Sequence, residues 1–209
     1  MTDILLIALA MSLLYMSIAN RLYTYLRILI LQGIILFGAT YLTLTNLNII
    51  NLLLIMLETI VFKAFAVPWF MNYIIKRNKI TREAEPYLPN FVSLIIVTMI
   101  IVSAIILSSS IKDQNLDKTF FVVALSMLFT GLYMIVSRKK IITHVIGYLV
   151  IENGVFVLSL AVGNEMPMLV NLGIMLDIFA SVLILGIFFN KIGDVINDPD
   201  VNILSHLKD

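Results

Sequence analysis

The sequence predicts an all-α integral membrane protein of seven transmembrane helices, with the N-terminus outside and the C-terminus cytoplasmic. Three observations carry that expectation. Of the 209 residues, 61% are hydrophobic and only 13% charged, and the mean hydropathy is +1.04. Soluble domains hold about a quarter charged residues, so this chain lacks the polar surface to cover a water-facing globule. Its apolar residues are gathered into runs of roughly 20, the length at which a helix crosses a hydrocarbon core of about 30 Å. Finally, the basic residues gather in alternate breaks between those runs.

The spans read in order as 2–19, 26–45, 49–74, 90–110, 119–137, 141–162 and 168–190. The first has Asp3 where a signal peptide carries a basic leader, and no A-x-A site follows, so it reads as a retained helix. The breaks carry turn chemistry: TNLN at 45–48, REAEPYLP at 82–89, KDQNLDK at 112–118, RKK at 138–140 and GNEMP at 163–167. The spans divide into a four-helix region, 1–110, and a three-helix region, 119–190. A polar tail, 191–209, follows on the cytoplasmic side.

Orientation rests on the basic residues. Arg21 and Arg27 flank the first loop, Lys76, Arg77, Lys79 and Arg82 occupy the third, and Arg138, Lys139 and Lys140 the fifth, with Lys191 and Lys208 in the tail. These faces hold 11 of the 14 basic residues, against Lys112 and Lys118 on the other side and Lys63 inside a helix.

Several function classes are excluded. A net charge of +1 gives no case for nucleic acid. Cysteine is absent, which removes disulfides, thiolate metal sites and iron–sulfur ligation from this chain. His144 and His206 lie far apart with no metal-ligand spacing. No nucleophile–base pair or phosphate-binding glycine loop is present, so the chain reads as non-catalytic.

Away from the span ends, four charged residues fall inside the spans: Glu58, Lys63, Glu152 and Asp177. A central Asp or Lys costs about 2.5–3.5 kcal/mol on insertion scales, against a gain of about 0.3–0.6 for each Leu or Ile. One span can bear that cost, but a purely structural helix avoids it. Desolvation disfavours a carboxylate's charged form and brings proton exchange nearer neutral pH, which makes a buried acid a relay candidate. Glu152 and Asp177 lie near the middles of consecutive spans joined by a five-residue turn, so the two carboxyls share a layer of the bilayer. Gly173, Ala180 and Ser181 form a strip of small residues around Asp177 and aim it at protein. Ser126, Thr130, Tyr133 and Ser137 make a hydroxyl stripe on the fifth span that could hold water between the acids. Asn153 adjoins Glu152. The alternative for all of these is hydrogen-bonded glue between helices.

The third span combines Lys63 with Pro68, whose ring clashes with the carbonyl of Ala64, and a kink there frees backbone acceptors. Thr59 lies one turn before Lys63 on its face. Glu58 lies five residues before it, about 140° round an α-helix, which disfavours a direct ion pair without distortion. Snorkelling of Lys63 and helix–helix bonding by Glu58 stay open as alternatives.

The run RKKIITHVIGYLVIENG, followed by VNLGIMLDIFASVLILGIFFNKI, resembles the hydrogenase-4 component E family in its basic loop, G-Y-x-x-x-E-N-G, G-I-x-x-D and terminal apolar helix. VFKAFAVPWF and the ending DVNILSHLKD are similar to that family's third helix and tail. The resemblance spans most of the chain and is most specific over 138–190. It implies a multi-pass subunit of the cytoplasmic (inner) membrane, within group 4 nickel–iron hydrogenase or formate hydrogenlyase complexes. It also implies a last three-helix region similar to the K-type subunit of respiratory complex I, with Glu152 and Asp177 matching the acids of a hydrated proton path. The acid-to-acid spacing is shorter than in that subunit, the second acid is Asp, and Glu58 has no counterpart. The implied partners are antiporter-like and quinone-site-like membrane subunits. No cofactor is implied in this chain, the nickel–iron site and iron–sulfur clusters belonging to partner subunits.

The expected function is therefore a non-catalytic, proton-translocating subunit using Glu152, Asp177, Lys63 and Glu58, with Asn153, Ser126, Thr130, Tyr133 and Ser181 in support. A structural adaptor that conducts nothing and a free-standing small-ion transporter are the rivals.

Overall fold

The structure, a computed structural model, describes residues 1–43, 49–77, 86–112 and 116–162, without the side chains of residues 49–51, 54 and 77. The predicted seventh span, the tail, Asp177 and Ser181 lie outside the described residues. Helices α1 (Thr2–Ile18) and α2 (Leu22–Thr43) come first. The predicted third span is a single helical run of three parts: α3 (Ile49–Met56), a π-helical segment (Leu57–Ala66) and α4 (Val67–Arg77). Next come α5 (Asn90–Ser110), α6 (Lys118–Ser137) and α7 (Ile141–Val162). Four of these, α2, α5, α6 and α7, are long and apolar enough to cross a membrane; α1 is a shorter apolar helix.

The bundle is apolar on its outside as well as within. Ile4, Ile7 and Met11 on α1, and Phe91, Ile95, Met99, Val102 and Ile106 on α5, recur at helical spacing and all face outward. A helix on a water-exposed surface turns charged residues outward along that stripe. The interior, conversely, holds Gln32, Glu58, Lys63, Glu152 and Asn153.

Helix ends follow from local chemistry. The Asp117 carboxylate accepts hydrogen bonds from the backbone N–H groups of Thr119 (3.0 Å) and Phe120 (3.2 Å), satisfying two orphan donors at the start of α6. The backbone N–H of Asp117 also donates to the carbonyl of Ala161 at the end of α7 (3.0 Å), closing the far end of the α6–α7 hairpin. Along that hairpin the backbones nearly touch. A Cβ on Gly131 would stand 2.6 Å from the carbonyl oxygen of Gly147, and one on Gly147 would stand 2.8 Å from that of Gly131. Glycine is required at both because any side chain wedges the helices apart, the small-residue logic of helix packing in lipid.

The turn 138–140 is the tight basic break that the sequence predicts, but two of its three charges are buried. Arg138 is 1% exposed and Lys140 is 2% exposed. Arg138 Nη2 donates to the carbonyl of Ser17 (2.9 Å), and its guanidinium stands 5.9 Å from the ring centroid of Tyr25. Tyr25 in turn donates to the carbonyl of Ala19 (2.6 Å). Residues 86 and 87 lie against the same turn, Pro86 forming a backbone bridge with Arg138 and the Tyr87 N–H donating to the carbonyl of Ser137 (2.9 Å). Arg27, expected beside the first loop, instead lies within α2, which begins at Leu22. Its long stem lets a cation sit a turn and a half inside a helix and still reach the interface.

The α6–α7 contact gives a direct test. Gly147→Leu is expected to lower the unfolding free energy in detergent by about 1–3 kcal/mol through overpacking. Asp117→Ala should cost about 1 kcal/mol from loss of the cap alone, and thermal unfolding followed by circular dichroism would rank the two.

Candidate functional site

The π-helical segment decides the geometry of the buried charges. In an α-helix the ladder runs from i to i−4; in a π-helix it runs to i−5, which sets residues five apart one above the other. The N–H of Val67 accordingly donates to the carbonyl of Phe62, five residues back. Pro68 follows at once, and its missing N–H and bulky ring forbid the ordinary bond to Ala64. Gly33 on α2 makes room for the widened coil: a Cβ there would meet Ala64 Cβ and N at 2.9 Å and the Thr59 carbonyl oxygen at 3.0 Å.

This overturns the α-helical expectation for Glu58 and Lys63. The π register aligns the two, and Lys63 Nζ lies 3.7 Å from Glu58 Oε1, with both side chains buried. Thr59, one turn before Lys63, donates its hydroxyl to the carbonyl of Ile55 (2.7 Å). Snorkelling is not what the lysine does: the residue is 6% exposed and its ammonium stands 4.7 Å from the ring centroid of Phe156 on α7. A cation over an aromatic face in a dry setting gains from the ring quadrupole.

Glu152 and Asn153 complete the site from α7. With Leu29, Lys63, Val67 and Leu149 they line a cavity of about 10 Å³, at the lower limit for one water. Lys63 therefore stands between a carboxylate on its own helix and one on a neighbour. With both acids ionised the trio carries a net −1, and with one further proton it is neutral.

A second polar feature adjoins it, and no sequence expectation named it. Asn153 Nδ2 donates to Gln32 Oε1 (3.2 Å), Gln32 Nε2 donates to Ser12 Oγ (2.9 Å), and Ser12 donates to the carbonyl of Leu9 (2.6 Å). Three helices, α7, α2 and α1, are joined by side-chain bonds through the fully buried Gln32. The available signal was the lone amide in LILQGIIL, as costly in oil without a partner as a charge-free residue can be.

The hydroxyl stripe on α6 divides. Ser126 donates to the carbonyl of Val122 (2.7 Å) within its own helix, and Tyr133 donates to Ser93 on α5 (2.8 Å). Thr130 and Ser137 are buried with side-chain oxygens that make no hydrogen bond among the described residues. The structure thus gathers Glu58, Lys63, Glu152 and Asn153, while Asp177 and Ser181 lie outside the described residues. Among those described, no group of three His, Cys, Asp or Glu side chains could hold a metal ion.

Comparison with known proteins gives partial likenesses. The chain is 33% identical over 91 residues to hydrogenase-4 component E of Escherichia coli, which covers 44% of this chain and 42% of that protein. The same component in Shigella flexneri matches to the same extent. An uncharacterized protein of Mycobacterium tuberculosis is 22% identical over 150 residues, covering 70% of this chain and 68% of its own. The chain therefore spans less than half the length of the hydrogenase-4 components it matches. No family model matches, and no solved structure matches.

The ion pair can be tested apart from any activity. Lys63→Met leaves a buried carboxylate without its cation and is expected to destabilise the protein by about 3–5 kcal/mol. Lys63→Met with Glu58→Gln should recover much of that loss, the difference being read as a coupling energy in a double-mutant cycle.

Proposed function

We propose that this chain is a non-catalytic, multi-pass subunit of a hydrogenase-type or complex I-like assembly in the cytoplasmic (inner) membrane, and that its buried charges relay protons. The observation that carries the proposal is the placement of Lys63 between Glu58 and Glu152, three ionisable groups gathered where hydrocarbon solvates none of them. Intramembrane charges at such a site favour function over packing. The partial identity to hydrogenase-4 component E supports the choice of assembly.

In this reading a proton reaches Glu152, Lys63 answers the change in its charge, and Glu58 competes for the ammonium. Asp177, on a seventh span at 168–190, passes the proton onward, with Ser126, Thr130, Tyr133, Asn153 and Ser181 in support. Region 119–190 acts as the K-type unit. The neighbours are antiporter-like and quinone-site-like subunits, and the nickel–iron and iron–sulfur centres belong to partner chains. Seven spans place the N-terminus outside and the tail in the cytoplasm.

A structural adaptor is the second reading, favoured by the bonds joining Asn153, Gln32 and Ser12, which tie three helices together with no proton to exchange. Reconstituted complex carrying Glu152→Gln separates the two. The relay predicts intact assembly with proton pumping reduced at least tenfold per turnover; full coupling, or failure to assemble with normal coupling in the residue that does, supports the adaptor. For topology, the chain's lack of cysteine permits single probes. A cysteine at Lys112 should react with an impermeant maleimide from outside, and one at Lys76 only after the membrane is opened.

A further inference from the structure

On the outer side of the α2–α4 contact lies a groove of about 510 Å³ with a graded lining. One end is polar, formed by Tyr23 and Arg27 of α2 with Asn72 and Lys76 of α4. The other end is apolar, walled by Ile30, Phe65 and Trp69, with Ala64 and Pro68 among the residues beneath. The two helix runs are antiparallel, so the polar residues all sit toward the end where α2 begins and α4 finishes. From Trp69 to Lys76 the wall rises about 10 Å at 1.5 Å per residue.

Three features restrict what fits. Arg27 and Lys76 are exposed cations, and among the described residues no acidic side chain lines the groove and neither cation forms an ion pair. The apolar end opens sideways, with Phe65 69% and Trp69 63% exposed, so its occupant is itself apolar at that depth. Between the two ends, the side-chain oxygen of Asn72 is buried and makes no hydrogen bond among the described residues. A buried acceptor without a donor is costly, and a hydroxyl would satisfy it.

We infer that this groove is a binding site for one anionic phospholipid with a hydroxylated headgroup, of the phosphatidylglycerol class. The phosphate lies between Arg27 and Lys76, a glycerol hydroxyl donates to Asn72, and an acyl chain runs down Ile30, Phe65 and Trp69. Juxtamembrane cations attract anionic lipid, and an aromatic ring such as that of Tyr23 favours the headgroup level. The site is independent of the proton-relay reading, although its floor abuts the segment that carries Lys63.

Native mass spectrometry of the full chain in mild detergent tests the assignment, with phosphatidylglycerol, phosphatidic acid and phosphatidylcholine titrated in turn. Each cation should contribute about fivefold, giving phosphatidylglycerol about 25-fold tighter retention than phosphatidylcholine. Arg27→Ala with Lys76→Ala should abolish that preference, while Arg27→Lys with Lys76→Arg keeps it. Phosphatidylglycerol should also outlast phosphatidic acid, which has no headgroup hydroxyl for Asn72, and Asn72→Ala should erase only that advantage. Equal retention of charged and zwitterionic lipid by the unaltered protein overturns the inference, as does a preference that survives loss of both cations. So does a photocrosslinker at position 69 that captures a protein subunit in place of lipid in membranes of the native host.

Discussion

The bundle turns on one backbone register. Over Leu57–Ala66 the hydrogen-bond ladder slips from i−4 to i−5, and the pairing of the buried charges follows from that slip. In the α register Glu58 and Lys63 would face different neighbours, each a lone charge in hydrocarbon. In the π register they meet, and the lysine also reaches the ring of Phe156 and the cavity shared with Glu152. A π coil is a poor helix by itself. Here Pro68 removes the α alternative just downstream, and Gly33 leaves the space that the wider coil occupies.

This arrangement is economical in a solvent that offers no hydrogen bonds. A backbone in lipid must satisfy its own donors and acceptors, so a distortion is tolerated only where it closes another set of bonds. The π ladder does so while turning two costly charges toward each other. Next to it, the bonds of Asn153, Gln32 and Ser12 hold α7, α2 and α1 by neutral groups alone. The centre thus contains one charged cluster and one neutral hydrogen-bonded network, meeting at the consecutive residues Glu152 and Asn153.

Much of this was legible in the sequence, and the failures have physical reasons. The bounds 90–110 and 141–162 were read as they stand in α5 and α7, because Pro89 and the basic turn 138–140 are unambiguous stops. The start of α2 was read four residues late, because Arg27 looks like a loop charge unless its stem is allowed to bend outward. Glu58, Lys63 and Glu152 were visible as misplaced charges, but the pairing of the first two was not. Periodicity assumes one turn length throughout, and a proline announces that a ladder breaks without saying how it is mended. Gln32 and Ser12 went unread because a count of formal charges passes over neutral polar residues, although a buried amide demands a partner as firmly as a charge does.

The clamp on Arg138 has a consequence for handling the protein. Arg138, Lys139 and Lys140 form the most basic tripeptide in the chain, the place a trypsin-like protease or a guanidine-modifying reagent would be expected to attack first. With the guanidinium closed against Ser17 and Tyr25, and the backbone of Ser137 and Arg138 held against residues 86 and 87, the peptide cannot extend into an enzyme cleft. The sharpest cluster of positive charge in this molecule is thereby shielded from digestion, and limited proteolysis would report on the turn only after the hairpin has come apart.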